Sequence, residues 1–294
     1  MEPRQTLSFL RNLFEQRGIR PKSKLGQNFL IDLNLLDLIV RTAELTREDL
    51  VLEVGSGTGG LTAHLAQEAG IVVSVETDPA FFALTQETVA GRENVKLIHG
   101  DILKNKNELD PEVFATLEAA LRQSGLQRLK LVANLPYVVA TPVIANLLLT
   151  DMPIDRMVVT VQWEIAERLT ASSGTKDFGS LSVLVQSVAD LEIVRRLGPK
   201  VFWPRPQVSS AIVLIRPNAA KRKQVGNVHR LRHFLRDLYA HRRKNLRGAL
   251  AAMAHDPREK PEIDRQLEDL NLPGTIRAEE LDIEQHLRLC AVFG

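Results

Sequence analysis

Two short stretches of this 294-residue chain combine residue types and spacing that suit chemistry. The first is Gly55-x-Gly57-x-x-Gly60, with Glu76 twenty-one residues beyond Gly55. Glycines at that spacing let backbone approach a ligand closely, and an acid at that distance can take ribose hydroxyls, so the pattern suits a nucleoside ligand. Glu53, two residues before the first glycine, would face the pyrophosphate of a dinucleotide with like charge. S-adenosylmethionine has no phosphate; it carries a sulfonium and an ammonium group, which acids suit. Asp101, at the carboxyl end of the β-rich run 95–98, can accept a hydrogen bond from an adenine amino group, or cap a helix. Together Glu53, Gly55, Gly57, Glu76 and Asp101 favour a methyl donor over a nicotinamide cofactor. The second stretch is Asn134-Leu-Pro-Tyr137. The Asn134 amide oxygen and a backbone carbonyl beside Pro136 can each accept a hydrogen from one planar amine. Pro136 sets the loop shape and removes a competing donor. Tyr137 offers a flat face on which a base stacks, worth roughly 1–3 kcal/mol.

Both stretches need rigid elements behind them. Residues 50–54, 71–75, 95–98, 129–133 and 157–161 read as strands. Residues 32–45, 61–69, 79–89, 111–124 and 142–149 read as the helices between them, after an amphipathic helix over 7–17 that Gly18 ends. Residues 164–170 and 181–189 read as further helices, and 191–196 and 211–216 as the last strands. Such regular alternation predicts an α/β fold, a mostly parallel sheet with helices on both faces. The β signal vanishes after Pro217. The chain therefore divides into a donor-binding domain, residues 1–217, and a small all-helical domain, residues 218–294.

Charge is unevenly spread. Residues 216–250 hold eleven Lys or Arg and one acid, Asp237, whereas 259–294 hold nine acids and four bases. The first thirty residues add six bases against two acids. The basic stretches suit a polyphosphate backbone. No apolar run is long enough for a membrane span and no secretory signal is visible, so a cytoplasmic protein is expected. Cys290 is the only cysteine and reads as a small buried hydrophobe. His229 and His233 lie four apart on a helical stretch, but the arginines around them repel a cation, and no metal site is expected.

The glycine loop and Asn134-Leu-Pro-Tyr137 resemble the class I adenine-N6 methyltransferases. Leu25-Gly-Gln-Asn-Phe-Leu30, Gln162-Trp-Glu-Ile-Ala-Glu-Arg168 and Val201-Phe-Trp-Pro-Arg-Pro-Gln-Val-Ser-Ser-Ala211 narrow the likeness. They are similar to the ribosomal RNA small-subunit adenine dimethyltransferases, the KsgA/RsmA family, over nearly the whole chain, and Arg242-Arg-Lys-Asn-Leu-Arg247 resembles that family's helical C-terminal domain. The resemblance implies a Rossmann-like sheet and S-adenosylmethionine as donor. It implies dimethylation of two adjacent adenosines in the 3′-terminal hairpin loop of small-subunit rRNA, within the 30S subunit or its precursor; nothing in the sequence suggests more than a monomer. Donor or target contacts are implied for Asn28, Leu30, Gly55, Glu76, Asp101 and Asn134, with Gly57 and Ile102 beside them, and Phe202 is implied to face Tyr137 across a flipped base. Lys22, Lys24, Arg205, Lys221, Arg222, Lys223, Arg242, Arg243, Lys244 and Arg247 are the expected RNA contacts. Two residues depart from the family's usual pattern: Trp163 stands where Lys is common, and Ser209 where Asp is. Other readings are a large-subunit rRNA methyltransferase of the antibiotic-resistance type, a DNA adenine methyltransferase (which usually has Pro-Pro-Tyr after its Asp or Asn), and a non-catalytic RNA-binding assembly factor.

Overall fold

The computed structural model describes residues 5–21, 26–253 and 258–294. Seven strands form the central sheet: β1 (Asp49–Val54), β2 (Ile71–Glu76), β3 (Val95–His99), β4 (Arg128–Asn134), β5 (Ile154–Gln162), β6 (Ala189–Leu197) and β7 (Ser210–Pro217). Their spatial order is β3-β2-β1-β4-β5-β7-β6. Pairs β2–β3, β1–β2, β1–β4 and β4–β5 are parallel, and β7 runs antiparallel to β5. Every residue of β1 is buried, as a strand covered by helices on both faces requires. Strand order reverses between β1 and β4, and a cleft opens beyond the carboxyl ends of strands at such a point.

The helices that matter to the site are α1 (Leu7–Arg17), α2 (Leu33–Ala43), α3 (Gly60–Glu68), α4 (Pro79–Thr88), α5 (Pro111–Ser124) and α6 (Ala140–Leu149). Their starts are written locally. Asp32, Asp78 and Asp110 cap α2, α4 and α5, with Pro79 and Pro111 at the first helical position. Leu35, Leu36 and Ile39 of α2 pack with Val51, Val72, Val132 and Val158 from four neighbouring strands. At the amino ends of the strands, Lys130 is 3% exposed, and its ammonium lies 3.0 Å from Asp49 and donates to the carbonyls of Ala43 and Glu44. Burial pushes the Asp49 carboxyl up, but Lys130, the Thr46 amide and Arg128 outweigh it and hold the group below the ordinary carboxylate range.

The expected alternation is present with shifted ends. Two small pairings escaped the sequence reading: Phe29–Leu30 with Phe202–Trp203, and Leu103–Asn105 with Glu108–Leu109. Runs of two or three residues carry too little periodicity to register. The division of the chain also differs from a single cut at 217. One compact unit comprises Met1–Ala166 and Glu192–Arg216; the other comprises Glu167–Leu191 and Pro217–Gly294. The helix Ser180–Gln186 packs against Val228–Ala240 and Ile283–Phe293, so its apolar face completes the core of the helical unit. Within that unit His286 is fully buried, held between the Asp282 carbonyl at 2.7 Å and the Tyr239 hydroxyl at 3.2 Å. No helix among the described residues is long and apolar enough to cross a membrane.

Lys130→Ala strands a buried carboxylate and is expected to lower unfolding free energy by about 3 kcal/mol. Urea denaturation checks this, and an unchanged midpoint would count against the ammonium's role.

Candidate active site

A cavity of about 250 Å³ opens at the switch point, where the loop after β1 meets the loop after β4. Gly55 has φ +81°, and a Cβ there would come within 2.9 Å of Pro136 Cγ. A Cβ on Gly57, φ +58°, would strike the Phe29 ring at 2.8 Å. Glycine is required at both positions for conformation and for space. The two loops therefore touch backbone to ring, and the segment Gly26–Leu30 closes over them.

Asn134 ends β4. Its side-chain Nδ2 donates to the Asn28 carbonyl at 2.8 Å. A carbonyl can only accept, so the nitrogen end of the amide is assigned by chemistry and Oδ1 is left to accept from elsewhere. Pro136's own carbonyl takes the Val139 N–H at 3.1 Å, which closes the turn leading into α6. Tyr137 is half-buried, with its hydroxyl 2.8 Å from Ser210 Oγ, and burial pushes that phenol up. The next side chain, Val138, is 68% exposed at the cavity wall.

Carboxylates define the opposite wall. Glu76 Oε2 accepts the Gly57 N–H and Oε1 the Asp78 N–H, each at 2.9 Å, so the loop amides hold the acid in place. Each oxygen keeps a lone pair for a hydroxyl. Desolvation raises the Glu76 carboxyl above its ordinary value despite these bonds. Glu53 is fully buried, and its Oε2 accepts from Thr62 Oγ1 at 2.5 Å and Ser74 Oγ at 2.6 Å. Burial dominates the two hydroxyls and the group is pushed up to about 7. Asp101 is exposed, and one of its oxygens holds the Leu103 N–H at 2.9 Å; beside it, Ile102 is buried and lines the cavity. Among the described residues lining the cavity are three carboxylates and no lysine or arginine. A pyrophosphate would find no counter-charge there, whereas a ligand with a ribose and cationic groups meets acceptors and anions.

A family model described as ribosomal RNA adenine dimethylase matches residues 18–288. The chain belongs to that family. It is an rRNA methyltransferase with the class I fold. A dimethylase relative named ribosomal RNA small subunit methyltransferase A, from Lachnoclostridium phytofermentans, is 38% identical over 99% of this chain and 97% of its own length. One of the same name from Listeria monocytogenes is 37% identical over 96% of this chain and 94% of its own. Among solved structures, a dimethyladenosine transferase from Plasmodium falciparum superposes with a TM-score of 0.70 at 23% identity, covering 88% of this chain and 94% of that one. The 23S rRNA methyltransferase ErmE superposes with 0.62 at 24% identity, covering 90% of this chain and 99% of that one. At such identities these two share the fold, and nothing finer follows from them.

Measured against the dimethylase reading, Asn28, Leu30, Glu53, Gly55, Gly57, Glu76, Asp101, Ile102, Asn134 and Pro136 all line one cavity. Phe202 is 2% exposed, paired to Leu30 and part of the same apolar cluster as Leu36 and Ile39. The pleat of that short ribbon turns Phe202 inward. Lys22 and Lys24 lie outside the described residues. Arg205, Lys223, Arg243 and Lys244 are exposed, but Lys221 is bonded to Asp190, Arg242 to Glu279 and Arg247 to Asp264. Arg222, partly exposed, also has an interaction within the protein. Gln5 went unanticipated: it lines the cavity and bonds Thr58 of the glycine loop through both ends of its amide. A lone glutamine ahead of a helix carries no signal for that.

Glu53 yields a pH prediction. Its folded value is raised, so the folded state binds the proton more tightly, and this group's contribution to stability is lost as pH climbs from about 4.5 to about 7. Glu53→Gln keeps an acceptor for both hydroxyls and is expected to gain melting temperature relative to the parent between pH 5 and pH 8. A difference that is flat with pH would remove the titration from Glu53.

Proposed function

We propose that this dimethylase transfers methyl groups from S-adenosylmethionine to the N6 amines of two adjacent adenosines in the 3′-terminal hairpin loop of small-subunit (16S) rRNA. It acts in the cytoplasm as a monomer, on the 30S subunit or its precursor. The observation that carries the reading is the Asn134 amide, pinned by the Asn28 carbonyl with its oxygen left to accept, beside a cavity whose charged lining, among the described residues, is acidic. Bound in that cavity, S-adenosylmethionine supplies an electrophilic methyl group on sulfur. Glu76 would take the ribose hydroxyls and Asp101 the adenine amino group, while Glu53 would add negative charge for the cationic end.

The chain's own work is positioning and polarisation. The target amine donates to Asn134 Oδ1 and to a loop carbonyl. Pro136's carbonyl already takes the Val139 N–H, so we assign the second hydrogen to the carbonyl of Leu135. With both hydrogens held, the nitrogen lone pair faces the donor. When bound, the donor would supply the methyl group and keep the C–S electron pair; the two acceptors offset the positive charge on the amine until its proton leaves to water. Tyr137, fixed through Ser210, gives the base a face to stack on, and the unpaired loop makes withdrawal of the adenine cheap. After one methylation one hydrogen remains, so a second transfer is chemically open at the same acceptors.

The competing large-subunit reading shares the fold, as the ErmE superposition illustrates. The relatives at 36–40% identity over 84–99% of this chain, all named for the small subunit, favour the reading adopted. The test is methyl transfer from radiolabelled S-adenosylmethionine to unmethylated small subunits, with large subunits and duplex DNA alongside. Label is expected as N6-dimethyladenosine in small-subunit RNA alone; label in large-subunit RNA would overturn the assignment. Asn134→Ala is expected to bind donor normally while turnover falls by about two orders of magnitude, the scale of losing one preorganised acceptor at the reacting centre. Equilibrium donor titration beside single-turnover rates checks both halves.

A further inference from the structure

We infer that Trp163 and Arg196 form a stacking shelf for an unpaired nucleotide flanking the target adenosine, a use that rests on the RNA reading above. The Arg196 guanidinium carbon lies 4.2 Å from the centroid of the Trp163 ring, and the arginine is exposed. Arg17, Arg128, Arg156 and Arg216 are each held by a carboxylate from Glu87, Asp49, Glu44 and Glu192. Arg196 has no such partner among the described residues; the indole is what holds it. A guanidinium laid on a ring keeps its outer face and its N–H edge for something else.

The shelf stands at the reacting edge of the sheet. Trp163 follows the last residue of β5, and its N–H donates to the Ser209 carbonyl at 2.9 Å. The adjacent Ser210 holds Tyr137, and Asn134 is paired with Thr160 on the strand alongside, three residues before Trp163. The shelf therefore lies beside the amine-holding loop and outside the donor cavity. The stretch 195–210 contains four Lys or Arg and no acid, and it exposes Val208 at 45%. Positive charge interleaved with an aromatic ring and exposed aliphatic surface suits a single strand, whose phosphates and base faces are both accessible. A paired helix hides its base faces in the stack and would use the charge alone.

Planarity separates stacking from simple charge. Labelled hairpin-loop RNA, and a fully paired RNA of the same length, would be titrated by fluorescence anisotropy without donor. Arg196→Ala and Trp163→Ala are each expected to weaken loop binding about tenfold, with the double variant little worse because the two act as a unit. Arg196→Lys keeps the charge and loses the plane, so it is expected to remain close to Arg196→Ala; Trp163→Phe keeps a ring and is expected to bind like the parent. In turnover assays KM for RNA rises while kcat and donor affinity hold. Full recovery by Arg196→Lys, equal losses for loop and paired RNA, or parent-like binding by Arg196→Ala would each overturn the shelf. Because binding is read without turnover, a protein that binds loop RNA through these residues yet methylates none would sink the enzymatic reading and leave the shelf standing.

Discussion

The site depends on the contact between Gly55 and the ring of Pro136. Only hydrogen fits between them, since a Cβ would sit 2.9 Å from Pro136 Cγ. That approach joins the loop after β1, which carries the glycines proposed to bind the donor, to the loop after β4, which carries the proposed amine acceptors. On that proposal, the two loops are placed relative to one another by one van der Waals contact between neighbouring strands. A doubly wound sheet makes such a contact available only where strand order reverses, because only there do adjacent loops diverge to opposite faces. Topology, glycine and proline are parts of one requirement: two reactants must meet at bonding distance.

The electrostatics follow the same economy. The cavity wall is acidic, yet each acid is constrained by bonds within the protein: Glu76 by two loop amides, Glu53 by two hydroxyls, Asp101 by a turn amide. These bonds fix orientation ahead of any ligand, while burial keeps Glu53 and Glu76 poorly solvated and hence responsive to positive charge. Preorganised carboxylates of this kind favour a cationic ligand without having to rearrange around it.

Much of this was legible in the residues. The glycine spacing, Glu76 and Asn134-Leu-Pro-Tyr137 belong to local motifs whose chemistry is written in residue type, and the strands behind them are apolar runs bounded by turns. What escaped has a common cause. Gln5 meets Thr58 fifty-three residues away, and Arg196 meets Trp163 across the sheet; neither contact leaves a periodic trace. The burial of Phe202 was also hidden, because the two-residue ribbon that turns it inward is too short to show a pattern. The grouping of residues 167–191 with the helical unit was hidden for a similar reason: an apolar helix face does not say which neighbour covers it.

The bond from Asn134 to Asn28 has an evolutionary consequence. Its acceptor is a main-chain carbonyl, which every amino acid supplies. Drift at position 28 can therefore retune whatever that side chain touches while the orientation of the Asn134 amide is inherited unchanged. The vulnerable inheritance is the path of the backbone through 26–30, so insertions and deletions there should be purged far more strictly than substitutions.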